Sequence, residues 1–182
     1  SALTRTVSFT VNDGALASNI VTRNITVAAV NDAPVLAAVE GTALGYTEND
    51  PATAISATIS TSDVDNTTLA SATVSIPVNY ANGEDVLAFA NTANISGAWN
   101  AGTGVLTLTG ADSVAAYQAA LRSVTYQNTS DNPSTLTRTV SFSVNDGALA
   151  SNTATRNITV GAVNDAPDRK STRLNSSHVS QS

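Results

Sequence analysis

Residues 3–34, LTRTVSFTVNDGALASNIVTRNITVAAVNDAP, return as residues 136–167, LTRTVSFSVNDGALASNTATRNITVGAVNDAP, displaced by 133 positions with four differences in 32. Such self-similarity marks one structural unit met at two places in an array. The unit then runs over residues 35–167, and residues 1–34 are the C-terminal end of the unit before it. An array of near-identical neighbours is an architecture of length rather than of a single pocket.

Within the unit the dominant pattern is strand-like. Residues 139–144, TVSFSV, alternate apolar with polar, and residues 155–163 do so more loosely. Asn-Asp-Gly and Asn-Asp-Ala-Pro interrupt these runs as turn chemistry. Further strands are expected near 55–60, 69–78, 86–89, 95–99 and 105–109. Seven or so short antiparallel strands in one domain predict an all-β, immunoglobulin- or cadherin-like antiparallel β-sandwich. One segment departs from this period: residues 112–121, DSVAAYQAAL, place Val114, Tyr117 and Leu121 on one helical face, with Asp112 able to cap it. A short helix is expected there, with Tyr117 as a core aromatic. Residues 1–34 hold only two strands, and a hairpin without sheet partners is marginally stable and open-edged.

Composition changes abruptly after Pro167, and both Lys170 and His178, the chain's one lysine and one histidine, lie beyond it. The stretch DRKSTRLNSSH from Asp168 to His178 resembles the conceptual translation of a common short-read sequencing adapter, so residues 168–182 are set aside as a non-native, disordered tail. Residues 1–167 then carry five Arg, no Lys and thirteen Asp plus Glu, a net charge of −8. So acidic a chain has no electrostatic footprint for nucleic acid or anionic lipid. No cysteine is present, which removes disulfides, thiolate nucleophiles and zinc-thiolate sites. No apolar run reaches the roughly 18 residues of a membrane span.

The acidic groups suit a hard cation with a preference for carboxylate and carbonyl oxygens. Asn31-Asp-Ala-Pro34 stands where one unit meets the next, its proline stiffening the connection. Ser62-Asp-Val-Asp-Asn66 follows about thirty residues later. Two carboxylates that close repel in a folded loop unless a cation or solvent separates them. A solvated acidic turn is the ordinary alternative for such a tripeptide. The series Asn31-Asp-Ala-Pro34, Asp63-Val-Asp65 and Val144-Asn-Asp-Gly147 before Asn164-Asp-Ala-Pro167 resembles the calcium-binding motifs of cadherin repeats. With its inserted YQAALR helix the layout is similar to the cadherin-like repeats of giant secreted bacterial adhesins.

The resemblance implies a Ca2+ ion at the first junction, bound by the Asn31 carbonyl and the carboxylates of Asp63, Asp65 and Asp146, with Asp32 between it and further ions. At the second junction it implies a half-site of Glu48, Asp131 and Asp165, completed by a following repeat. It further implies an extracellular or cell-surface location, neighbouring repeats of the same chain as partners, and host or biofilm surface glycans or proteins as adhesion targets. Vertebrate-type cadherins carry Asp-Arg-Glu where this chain has Asp131-Asn-Pro133, and a longer acidic linker than Asn-Asp. Fewer ions per junction and a dissociation constant of about 10⁻⁴ to 10⁻³ M are therefore expected.

Two other classes of function compete with this one. Catalysis by a paired carboxylate at Glu84-Asp85 is disfavoured, because adjacent residues on a strand or turn point in different directions. Without His, Cys or Lys in residues 1–167 the usual nucleophilic triads and a Ser-Lys pair are also excluded, so no enzyme is expected. A glycan-binding sandwich is the stronger rival, with Trp99, Tyr80 and Tyr126 as a stacking platform. Core packing of those rings is the simpler use, since only eight aromatics exist. The arginines 5, 23, 122, 138 and 156 are expected to pair with carboxylates and backbone, contributing little where exposed.

Overall fold

A computed structural model describes residues 3–165. The tail 168–182 and Ala166–Pro167 of the second Asn-Asp-Ala-Pro lie outside the described residues. The backbone divides into two units, Ser1–Asp32 and one that begins at Ala33.

The first unit is an antiparallel hairpin of β1 (Leu3–Phe9) and β2 (Val21–Val27), in register from Leu3 opposite Val27 to Phe9 opposite Val21. Its connecting loop is closed by its own polar groups. The Asn12 side chain accepts from Gly14 N at 2.7 Å, and Asp13 Oδ1 accepts from Ala15 N and Leu16 N at 2.9 and 2.8 Å. Those Leu16 and Ala15 amides hold the Asp13 carboxyl below its ordinary range. Every residue of both strands is exposed.

The second unit is the expected all-β sandwich. Its strands are β3 (Val35–Ala37), β4 (Leu44–Thr47), β5 (Thr53–Ala54), β6 (Ser60–Ser62), β7 (Thr68–Val78), β8 (Asp85–Ala88), β9 (Ser96–Asn100), β10 (Val105–Ser113), β11 (Thr125–Asn128), β12 (Arg138–Asn145) and β13 (Ala154–Gly161). Six of them form one sheet in the order β4-β13-β12-β7-β10-β9, faced by β5-β11-β8 and the pair β3-β6. All pairings are antiparallel except β4 with β13. The two long central strands show why alternation specifies the face. β12 reads buried-intermediate throughout, with Arg138, Val140, Phe142 and Val144 inward. β7 turns Leu69, Ala72, Val74 and Ile76 into the same core. The one-residue slip between Leu69 and Ala72 matches a register shift where β10 pairs with β7 between Thr109 and Asp112. Gly110 lies in that irregularity with φ 126°, and a β-carbon on it would stand 1.9 Å from the Asn94 carbonyl oxygen.

The helix α1 spans Val114–Ser123, two residues later than the sequence pattern suggested. Asp112 remains in β10, and Ser113 is the cap instead, its hydroxyl accepting from Ala116 N at 3.1 Å. Tyr117 and Leu121 are fully buried, as the helical period required. Arg122 in the last turn donates from Nε to the Ile59 carbonyl at 2.8 Å, which ties the helix to the β5–β6 segment.

That segment corrects one expectation. Residues 55–59 are not a strand but a turn between β5 and β6, which starts at Ser60; within the turn Ser56 Oγ accepts from Ile59 N at 3.1 Å. Ile55 and Ile59 are both buried, so the apolar spacing belongs to a loop that plugs the core. The side chain holding this turn is Glu40, which accepts from Ser56 Oγ at 2.6 Å and Ala57 N at 2.8 Å and stands 3.5 Å from Arg156 Nη1.

Between the two sheets lies a buried polar cluster. Asp85 on β8 and Arg138 on β12 have fully buried side chains and pair at 3.1 Å. Asp85 also accepts from Tyr126 Oη at 2.6 Å, Asn128 Nδ2 at 2.9 Å and Ala81 N at 2.8 Å. Arg138 Nη1 donates to the carbonyls of Ser134 and Leu136. Burial, the Asp85 hydrogen bond and the negative charge beside it push the Tyr126 hydroxyl well above its ordinary range. Tyr126 in turn meets Tyr46 of the opposite sheet edge-on, with centroids 5.2 Å apart.

Two measurements check these roles. Asp85→Ala leaves the Arg138 guanidinium buried without its carboxylate and should lower the unfolding free energy by about 3–5 kcal/mol in urea titration. Burial raises the Glu40 carboxyl, but the Ser56 hydroxyl, backbone amides and Arg156 outweigh it and bring it to about 2, from 4.5. A depressed carboxylate stabilises fully above pH 4.5 and loses that contribution as the pH falls through 4.5 toward 2. Glu40→Gln should therefore cost about 1–3 kcal/mol at neutral pH and flatten the decline over that window.

Candidate metal site

The sequence placed its first ion around Asp63, Asp65 and Asp146, and the fold of the second unit decides which of these are neighbours. β3 opens with Val35 opposite Ser62 of β6, so the 63–67 loop lies at the end of the sandwich where residue 35 enters. β12 finishes at the same end, with Asn145 opposite Ser71, and Asp146 follows it.

In the 63–67 loop, Asp63 Oδ1 accepts from Asp65 N at 2.9 Å and Asn66 N at 2.8 Å. This is the local turn that a short carboxylate side chain makes with its own backbone. Its other oxygen, Oδ2, is buried and has no hydrogen-bond partner. A carboxylate oxygen in that state carries a desolvation cost that only a cation or a donor relieves. Beside it, Asn66 Nδ2 donates to Asp146 Oδ2 at 3.3 Å, which joins the two loops. Asp146 Oδ1 meanwhile accepts from Ala148 N and Leu149 N at 2.6 and 2.7 Å. Asp65 is exposed. Asn31 and Asp32 belong to the first unit, where Asn31 Nδ2 donates to the Asp32 carbonyl at 3.2 Å.

At the other end β13 runs out past β4, and Glu48 N donates to the Gly161 carbonyl at 2.9 Å. Glu48 is only 3% exposed; its Oε1 accepts from Val163 N at 2.8 Å, and its Oε2 is buried without a partner. Asp131 and Asp165, the other two members of the expected half-site, are exposed. Among the described residues no three acidic side chains are gathered closely enough to form a ready cage.

The aromatic platform does not assemble. Tyr126 is fully buried on Asp85 and Tyr46. Tyr80 and Trp99 do meet edge-on at 6.1 Å, with Tyr80 packed over Gly104 and donating to the Ala101 carbonyl. Glu84 and Asp85 diverge: Asp85 enters the core, while Glu84 Oε2 accepts from Ser134 N at 3.1 Å and stands 3.7 Å from Arg138.

Sequence reasoning missed the Asn66–Asp146 link and the role of Asn152, which accepts from Leu36 N at 2.8 Å and donates to Leu36 O at 2.9 Å. Asn66 adjoins the Asp-x-Asp motif and was legible as a neighbour; nothing in the linear pattern singles out Asn152, 116 residues from its partner.

No family model matches the sequence, and no curated protein matches it. Among the described residues no helix is long and apolar enough to cross a membrane.

Asp63 has a structural task separable from any ion. Asp63→Ala removes the acceptor of two backbone amides and should cost about 1–3 kcal/mol in urea titration with EDTA. Asp63→Asn keeps an acceptor oxygen in the turn and should stay close to the parent.

Proposed function

We propose that this chain is a calcium-binding structural repeat of an extracellular adhesin, cadherin-like in kind, and that calcium stiffens the joints between consecutive units. The observation that carries this reading is the buried, unpartnered Oδ2 of Asp63, on a turn already held by its other oxygen. Glu48 Oε2 repeats the pattern at the opposite end of the sandwich, which is where a second joint would lie. An anionic oxygen withdrawn from water and left without a donor suits a hard cation.

Asp63, Asp65 and Asp146 would hold the first ion, and the sequence adds Asn31 and Asp32 to that set. Glu48, Asp131 and Asp165 would supply the half-site at the second joint. A bound calcium ion would supply charge neutralisation there and nothing catalytic. Without it the acidic loops repel and the joint flexes; with it, ligands from both sides of a hinge restrict the hinge. The chain acts as a spacer, and its partners are its own neighbouring repeats, with adhesion to surface glycans or proteins residing in the parent assembly.

The test is thermal unfolding in EDTA and in 10 mM calcium. At a dissociation constant of about 10⁻⁴ to 10⁻³ M, one ion adds about 1.4–2.7 kcal/mol, a rise in Tm of several degrees. Asp63→Asn/Asp65→Asn, which keeps the turn acceptors, should abolish the rise while leaving the EDTA midpoint near that of the parent. An unchanged midpoint in the parent would overturn the calcium assignment.

A further inference from the structure

The turn that leads into β8 holds the one Asn-Gly pair in the sequence, Asn82-Gly83. Both residues are exposed, and Gly83 sits at φ 87° with open space where a β-carbon would stand. Among the described residues no hydrogen bond engages the Asn82 side chain or the Gly83 amide. An asparagine side chain is open to attack by the amide nitrogen of the next residue. Glycine leaves that nitrogen unshielded, because it has no side chain.

The two Asp-Gly pairs set the contrast. Gly14 N and Gly147 N donate to the side chains of Asn12 and Asn145 at 2.7 and 2.6 Å, so the attacking nitrogen is held elsewhere. The carboxylates are held as well, Asp13 Oδ1 by Ala15 N and Leu16 N, and Asp146 Oδ1 by Ala148 N and Leu149 N. An ionised carboxylate is also a poorer electrophile than a neutral amide. Hydrogen bonding and charge protect both of those loops, and neither protects Asn82.

The exposed turn carries a buried group. The Ala81 carbonyl accepts from Glu84 N and Asp85 N at 3.1 and 3.0 Å, and Ala81 N donates to Asp85 Oδ2 at 2.8 Å. Closure of the turn therefore holds the carboxylate that pairs with Arg138.

We propose that Asn82 is a site of spontaneous deamidation and isoaspartate formation, with water as the co-reactant, and that the isoaspartyl product loosens the Asp85–Arg138 link. Gly83 N attacks Asn82 Cγ, the Cγ–Nδ2 bond breaks, and the side-chain nitrogen departs as ammonia with the proton that Gly83 gives up. The resulting succinimide takes up one water, which opens it at either carbonyl to aspartate or isoaspartate. Isoaspartate routes the main chain through the side-chain carbon and adds one methylene to a turn whose ends are Ala81 and Asp85. The Ala81 amide then no longer meets the Asp85 carboxylate as it does in the intact turn. This inference does not depend on calcium and is tested in EDTA.

The experiment incubates the whole chain at pH 8 and 37 °C, maps it by mass spectrometry and chromatography, and unfolds samples in urea. Deamidation at Asn82 should run about tenfold or more faster than at any other asparagine of residues 3–165. The urea midpoint should fall in step with the isoaspartate content. Asn82→Gln, whose longer side chain closes the ring far more slowly, should keep both its mass and its midpoint. Freshly prepared Asn82→Asp supplies the added charge without the methylene and should unfold near the parent's midpoint. Deamidation at Asn82 no faster than elsewhere, an aged sample with an unchanged midpoint, an equal loss in Asn82→Gln, or fresh Asn82→Asp as unstable as the aged parent would overturn the proposal.

Discussion

The pairing of Asp85 with Arg138 is the contact on which the sandwich most depends, because it joins β8 of one sheet to β12 of the other through the core. Neither charge retains water, so each is tolerated only through the other and through the ring of donors and acceptors around them. Tyr126, Asn128 and the Ala81 amide saturate the carboxylate, and the Ser134 and Leu136 carbonyls take guanidinium protons. Such a cluster makes sheet alignment stringent. A slip of one residue in β12 would carry Arg138 to the outer face and leave Asp85 charged and dry.

Around that link the apolar packing is ordinary and its weak points are filled by loops. The 55–59 turn puts Ile55 and Ile59 into the core, held by Glu40, and Arg156 and Arg122 secure its flanks by donating to the carbonyls of Ile55 and Ile59. Tyr117 and Leu121 of α1 add two more large, fully buried side chains. With eight aromatics in the whole chain, the core relies on Leu, Ile and Val together with polar clamps such as Asn152 on Leu36.

Two nearly identical 32-residue segments stand in different environments. Their turns and cross-strand register are alike, since these depend on Asn, Asp, Gly and Ser close in sequence. Their burial is opposite, since burial depends on whether β7 and β4 are supplied. Any hairpin separated from its sheet exposes an apolar face and two open edges.

The sequence by itself determined the all-β class, most of the long strands, the helix and its inward face, because each rests on periodicity or on turn residues within a few positions. It also marked Asp63, as an acidic residue in a motif, and Glu48, through the family resemblance alone. Tertiary structure decided the rest. It made β4 the parallel neighbour of β13, with Ile158 opposite Leu44, a pairing of segments far apart in sequence that leaves no local signal. It also made residues 55–59, within a run that reads as a strand, into a turn. Most of all, it took Asp85 out of solvent and gave it Arg138, and it buried one oxygen each of Asp63 and Glu48 without a partner, because desolvation is a property of the surroundings that no linear pattern records.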